Sequence, residues 1–222
     1  MKDPVLFKPS DARMAGSITL QNGWDAAVEL GMLAEAYQAA ANAVVSELSG
    51  DKHFTRSIST ASSFQAFPAI FLYRQALELA LKGVITAGAP MLDSSDTDAL
   101  LQSVYGSHSF EKLRPLVEEI FAAIGWEFDF GIASFRSKQA FRKLLAEFDR
   151  FDPTSTACRY PVDSCGNPTM PAPLCINLYD FAAALDSILT LLRDAPSIIK
   201  DEVQRYLESL YEEQEAAWSS GL

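Results

Sequence analysis

Histidine is almost missing from this 222-residue chain, and with it most of the motifs that would declare a cofactor or a metal. The two histidines, His53 and His108, stand in no ligand spacing with cysteine or carboxylate, so no metal site is expected. Cysteine is scarce too: Cys158, Cys165 and Cys175 form no C-x-x-C pair, and an odd count reads as free thiols in a reducing compartment. There is no glycine-rich phosphate loop, which leaves a conventional nucleotide enzyme unsupported and no cofactor expected. No apolar run is long enough to cross a bilayer, and the opening residues lack a signal peptide's apolar core. A soluble, cytoplasmic protein is the expectation. Positive charge is short, 18 Lys and Arg against 29 Asp and Glu, and the net −11 argues against non-specific coating of nucleic acid. Any such contact needs a local basic patch.

What remains is an ordinary globular composition, 49% apolar and 21% charged, in a length suited to one domain with an extension. Apolar residues recur at helical spacing in Leu30, Leu33, Tyr37, Ala40, Ala41, Val44 and Leu48, predicting a helix from about Trp24 to Leu48. His53 falls in the polar break that follows. Pro68 suits the first turn of a second helix, which runs to about Thr86 and closes at Gly88 and Pro90. That helix is apolar nearly all round and is expected at the centre. A short helix near Asp98–Tyr105 precedes one from Phe110 to Ile124, capped by Ser109 and kinked at Pro115. Phe141, Leu144, Leu145 and Phe148 mark a further helix ending near Phe151, and Asn177 with Asp180 resembles a capping box before Leu178–Leu192. Pro196 is expected to interrupt that run, with Ser197 capping a last acidic helix.

The fold class is therefore all-α, with one exception between Thr156 and Ile176. Prolines 161, 168, 171 and 173 exclude a helix there, and a turn at Asp163–Gly166 suits a short irregular hairpin or loop insertion. The organisation expected is an N-terminal arm (1–23), a helical domain (24–195) and an acidic C-terminal helical extension (196–222).

Three stretches carry unexpected charge. Phe71–Gly83 places Arg74, Glu78 and Lys82 four residues apart on one stripe of the most apolar helix. Ser107-His-Ser-Phe-Glu-Lys-Leu113 opens a helix, and Arg159-Tyr-Pro-Val-Asp163 follows a later one. Together they resemble the HEPN superfamily, compact helical domains of prokaryotic defence and toxin-type systems, over roughly Ala36 to Leu192. The resemblance implies an antiparallel helical bundle, a homodimer and, in many members, a metal-independent endoribonuclease. Its usual site is an arginine followed four to six residues later by a histidine. Here Arg159 is followed by Val162, Asp163, Ser164 and Cys165, and the usual pair is absent.

Two alternatives stand open for the site. His108 folds back beside Arg159 and supplies proton transfer, or Arg74, Lys82 and Arg159 hold a phosphate or nucleotide without cutting, with Glu78 and Tyr160 in the same ligand-binding set. Asp152 and Asp163 are candidate supports for Arg159. The plainer reading of the Arg74–Glu78–Lys82 stripe is a solvated set of helix ion pairs, and that of His108 is a local hydrogen bond at a helix start. Between Ser134 and Tyr160 six Lys and Arg face three Asp and Glu, so Arg136, Lys138, Arg142 and Lys143 are the expected RNA contacts. The functional expectation is RNA binding, with cleavage at a non-standard site. The alternative is a silent dimerisation, nucleotide-binding or protein-interaction module, docking a partner through the acidic C-terminal helix.

Overall fold

The computed structural model describes residues 23, 25–50, 60–131, 135–152, 155–170 and 175–219, and the 1–22 arm and His53 lie outside them. Among the described residues six helices follow in order: α1 (Ala26–Gly50), α2 (Thr60–Gly88), α3 (Thr97–Gly106), α4 (Phe110–Ala123), α5 (Lys138–Phe151) and α6 (Leu178–Ser219), with one 3₁₀ turn at Ala89–Met91. No strand occurs among the described residues, so the all-α class stands. The 155–170 segment holds one isolated antiparallel bridge, Val162 with Pro168, around the turn expected at Asp163–Gly166. No described helix is long and apolar enough to cross a membrane.

The buried stripe of α1 is Ala27, Gly31, Ala34, Gln38, Ala41, Val45 and Leu48, alternately four and three residues apart. Leu33 and Ala40, part of the apolar periodicity that marks this helix, face solvent instead. The reason is size: small residues let the backbones of α1, α2 and α6 approach closely, as in a heptad seam. Gly83 marks one close approach. A Cβ there would sit 3.3 Å from the Ala27 carbonyl and 3.7 Å from Cγ of Pro196, so three helices meet over one hydrogen atom.

That contact also explains Pro196, which does not interrupt α6. Pro196 is buried inside one continuous helix, and the apolar stripe runs on through Ile199 and Val203. Packing against Gly83 offsets the hydrogen bond that proline removes. The boundary expected at 195/196 therefore falls inside α6. Pro68 likewise lies within α2, which begins at Thr60 rather than at the proline.

From Ala69 to Gly88 nearly every residue of α2 is buried, so this helix is the axis around which the others pack. Between α4 and α5, Trp126, Phe128 and Phe130 pack against Phe121 and Phe141, closing one end of that helix pair. On the α1 side a polar cluster fixes the helices in register: Asp186 of α6 accepts from Gln38 Nε2 (2.7 Å) and Asn42 Nδ2 (3.0 Å), and Tyr73 donates to Asn42. Burial first, and then the Asp186 charge, push the Tyr73 phenol well above its ordinary range, which keeps it a donor.

Candidate functional site

At 100° per residue, Phe71, Arg74, Glu78 and Lys82 fall on one face of α2. That face is not solvated. Arg74 and Glu78 are each 1% exposed and Lys82 5%, which overturns the solvated-stripe reading. The charges are buried because main-chain carbonyls converge on them. Lys82 Nζ donates to the Tyr105 carbonyl at the end of α3 (3.0 Å), while Arg74 Nη2 donates to the carbonyls of His108 (2.8 Å) and Asp152 (3.1 Å). These acceptors belong to helix ends and linkers, which have no intrahelical donor of their own.

Glu78 balances the two cations. Its Oε2 accepts from Arg74 Nη1 (3.1 Å) and its Oε1 from Lys82 Nζ (2.9 Å). Burial would raise the Glu78 carboxyl, but the bonds from Lys82 and then His108 outweigh it and hold the group below the usual range. Glu78 is thus an ionised acceptor, so the His108 Nδ1 lying 2.9 Å from Oε1 carries the proton. The histidine side chain is 56% exposed above a carboxylate that is 1% exposed. No described residue bonds its Nε2.

Asp152 extends the same network. Its Oδ2 faces Arg74 Nε at 3.8 Å, and its Oδ1 accepts from the backbone of Thr156 (2.6 Å) and Ala157 (3.0 Å). The carboxylate so ties down a turn that includes Ser155 in the left-handed region, φ 59°. Arg159 leaves that turn. Its Nε donates to the Ser155 carbonyl (2.6 Å), and its guanidinium lies over the rings of Phe71 (5.4 Å) and exposed Tyr160 (5.7 Å). Asp152 therefore supports Arg159 through the backbone. Asp163 instead binds the amides of Cys165 and Asn167 in its own turn. Burial and the Asp152 charge push the Cys158 thiol up to about 12, which removes it as a nucleophile at neutral pH.

His108 and Arg159 both lie along this face, but they are not paired with each other. Arg159 sits over Phe71 and His108 over Glu78, seven residues on, or about 10 Å along the helix. The other basic residues divide. Lys138 and Arg142 pair with Glu118 of α4, joined there by Arg114, whereas Arg136 pairs with Asp129 and Lys143 with Glu147, each at 3.9 Å. They do not form one strip.

Sequence reasoning missed Asp149. It accepts from the amides of Phe110 (2.9 Å) and Glu111 (2.5 Å), capping α4 from α5, while Ser109 makes no cap and donates to Asp149 instead. It also missed Glu118, although the spacing of four from Arg114 was a legible signal. No protein-family model, curated protein or solved structure matches the chain.

Proposed function

We propose that the chain is a HEPN-like, homodimeric RNA-binding protein that cleaves single-stranded RNA at His108, with Arg159 and Tyr160 holding the strand one step away. The observation that carries this reading is the exposed imidazole of His108, oriented through Nδ1 by a buried, ionised carboxylate 2.9 Å away. A histidine held so presents Nε2 as a proton acceptor to solvent. Nε2 takes the proton of a ribose 2′-hydroxyl, and the 2′-oxygen attacks the adjacent phosphorus. The bond from phosphorus to the 5′-oxygen breaks, that oxygen takes a proton from solvent, and the products are a 2′,3′-cyclic phosphate and a 5′-hydroxyl end. Arg159 offers a fixed positive charge to a neighbouring phosphate, and Tyr160 a face on which a base can stack.

Purified protein is incubated with a mixed RNA pool in EDTA. Cutting that yields cyclic-phosphate ends, and that is lost in His108→Ala and weakened in Arg159→Ala, is the expected result. Unchanged cutting in His108→Ala, or none in the wild type, would sink it.

A second reading, a non-cutting interaction module, is favoured by the end of α6. From residue 197 to 219 six acidic residues face two basic ones, and Tyr211 and Trp218 are largely exposed. A basic protein surface is the partner this segment fits.

A further inference from the structure

Between α4 and α5, beside the aromatic cluster, three cations meet at one carboxylate. Glu118 of α4, almost fully buried, accepts from Arg142 Nε (2.6 Å), from Arg142 Nη2, from Arg114 Nη1 (3.1 Å) and from Lys138 Nζ, which lies 3.3 Å away. Arg142 by itself satisfies both oxygens of Glu118, in the bidentate geometry that suits a carboxylate. Arg114 and Lys138 exceed what one negative charge requires. Gathering three positive charges at a point is unfavourable unless something more balances them, and Glu118 leaves an excess of +2.

The three side chains are 28% (Arg114), 43% (Lys138) and 48% (Arg142) exposed, so this excess faces water rather than the core. Each also keeps donors in hand. Arg114 uses only Nη1 on Glu118, Arg142 does not spend its Nη1 there, and Lys138 makes one such contact of its three. The helices fix the geometry: Arg114 sits one turn from Glu118 on α4, and Lys138 and Arg142 are one turn apart on the facing stripe of α5. Lys138 is further steadied over the Phe128 ring, at 5.7 Å.

We propose that Arg114, Lys138 and Arg142, gathered by Glu118, form a binding site for a dianionic phosphate, either the free ion or a terminal phosphate monoester. The charge matches the excess, and a tetrahedral anion can take donors from two helices at once. This site is separate from His108 and stands whether or not the chain cuts RNA.

The test uses the full chain at pH 8 and low salt, titrated calorimetrically with inorganic phosphate, and in a second arm with a DNA oligonucleotide, which lacks the 2′-hydroxyl that cleavage needs, carrying either a 5′-phosphate or a 5′-hydroxyl. Saturable one-to-one binding of inorganic phosphate is expected if the free ion is the ligand. At least tenfold preference for the 5′-phosphorylated strand is expected if the ligand is a strand end. In either case Arg114→Gln with Lys138→Gln weakens binding tenfold or more. That double variant keeps Arg142 on Glu118, so its melting curve should stay close to wild type and show that the loss is one of binding. Absence of binding in both arms, or equal affinity in the double variant, would overturn the proposal.

Discussion

His108 Nδ1 lies 2.9 Å from Glu78 Oε1, so an imidazole in water is fastened to a carboxylate that water does not reach. The same oxygen is held by Lys82, and the other oxygen of Glu78 by Arg74. The orientation of the exposed imidazole thus rests on a charged network inside the fold.

Removing a member of that network should be costly. Arg74→Ala leaves two main-chain carbonyls without their buried donor, takes one of two buried cations from Glu78 and removes the charge facing Asp152, and a loss of about 3–5 kcal/mol is expected. Chemical denaturation followed by circular dichroism checks it. A loss below about 1 kcal/mol would mean that water replaces the guanidinium.

The cap of α4 separates two neighbouring residues. Asp149→Ala should cost roughly 1–2 kcal/mol, because it deprives two orphan amides of an anionic acceptor. Ser109→Ala should cost under about 0.5 kcal/mol, since its hydroxyl caps nothing. Equal effects in urea melts would contradict this assignment.

Acid should loosen the α4–α5 pair in a definite window. Burial acts to raise the Glu118 carboxyl, but bonds from Arg142, Arg114 and Lys138 lower it from 4.5 to about 2. Between those values the unfolded chain binds more protons, so stability is complete above roughly pH 5 and falls as pH drops toward 2. Glu78, also lowered, contributes with the same sign. In Glu118→Gln the denaturation midpoint should be lower at pH 7 and depend less on pH below 5. An unchanged slope would show that Glu118 is not the titrating group.

Gly88 allows α2 to end against α4. A Cβ at this position would lie 2.7 Å from Cγ2 of buried Ile120, so Gly88→Ala should cost about 1–3 kcal/mol. With Ile120→Ala in the same chain the two losses should be clearly less than additive. Strict additivity would place the strain elsewhere.

The helices themselves were legible because apolar spacing and breakers agree over most of the chain. The exceptions share one cause. Leu33 and Ala40 belong to the apolar periodicity that marks α1, yet close approach at Gly31, Ala34 and Gly83 rewards small side chains instead. Pro196 signalled a break by its local chemistry, and only its packing on Gly83 shows why the helix continues. For the site, the stripe of Arg74, Glu78 and Lys82 could be read from spacing alone. Its burial could not, because the groups that satisfy it are carbonyls, and a carbonyl leaves no mark in a sequence. Asp149 was hidden for a related reason: it caps a helix that begins 39 residues before it.

Arg74 and Lys82 grip positions 105, 108 and 152 by the main chain, an attachment indifferent to which amino acid stands there. At position 108 this frees the side chain from architectural duty. The clasp would persist if that imidazole were exchanged, and selection could alter the surface chemistry over the network without renegotiating the scaffold beneath it.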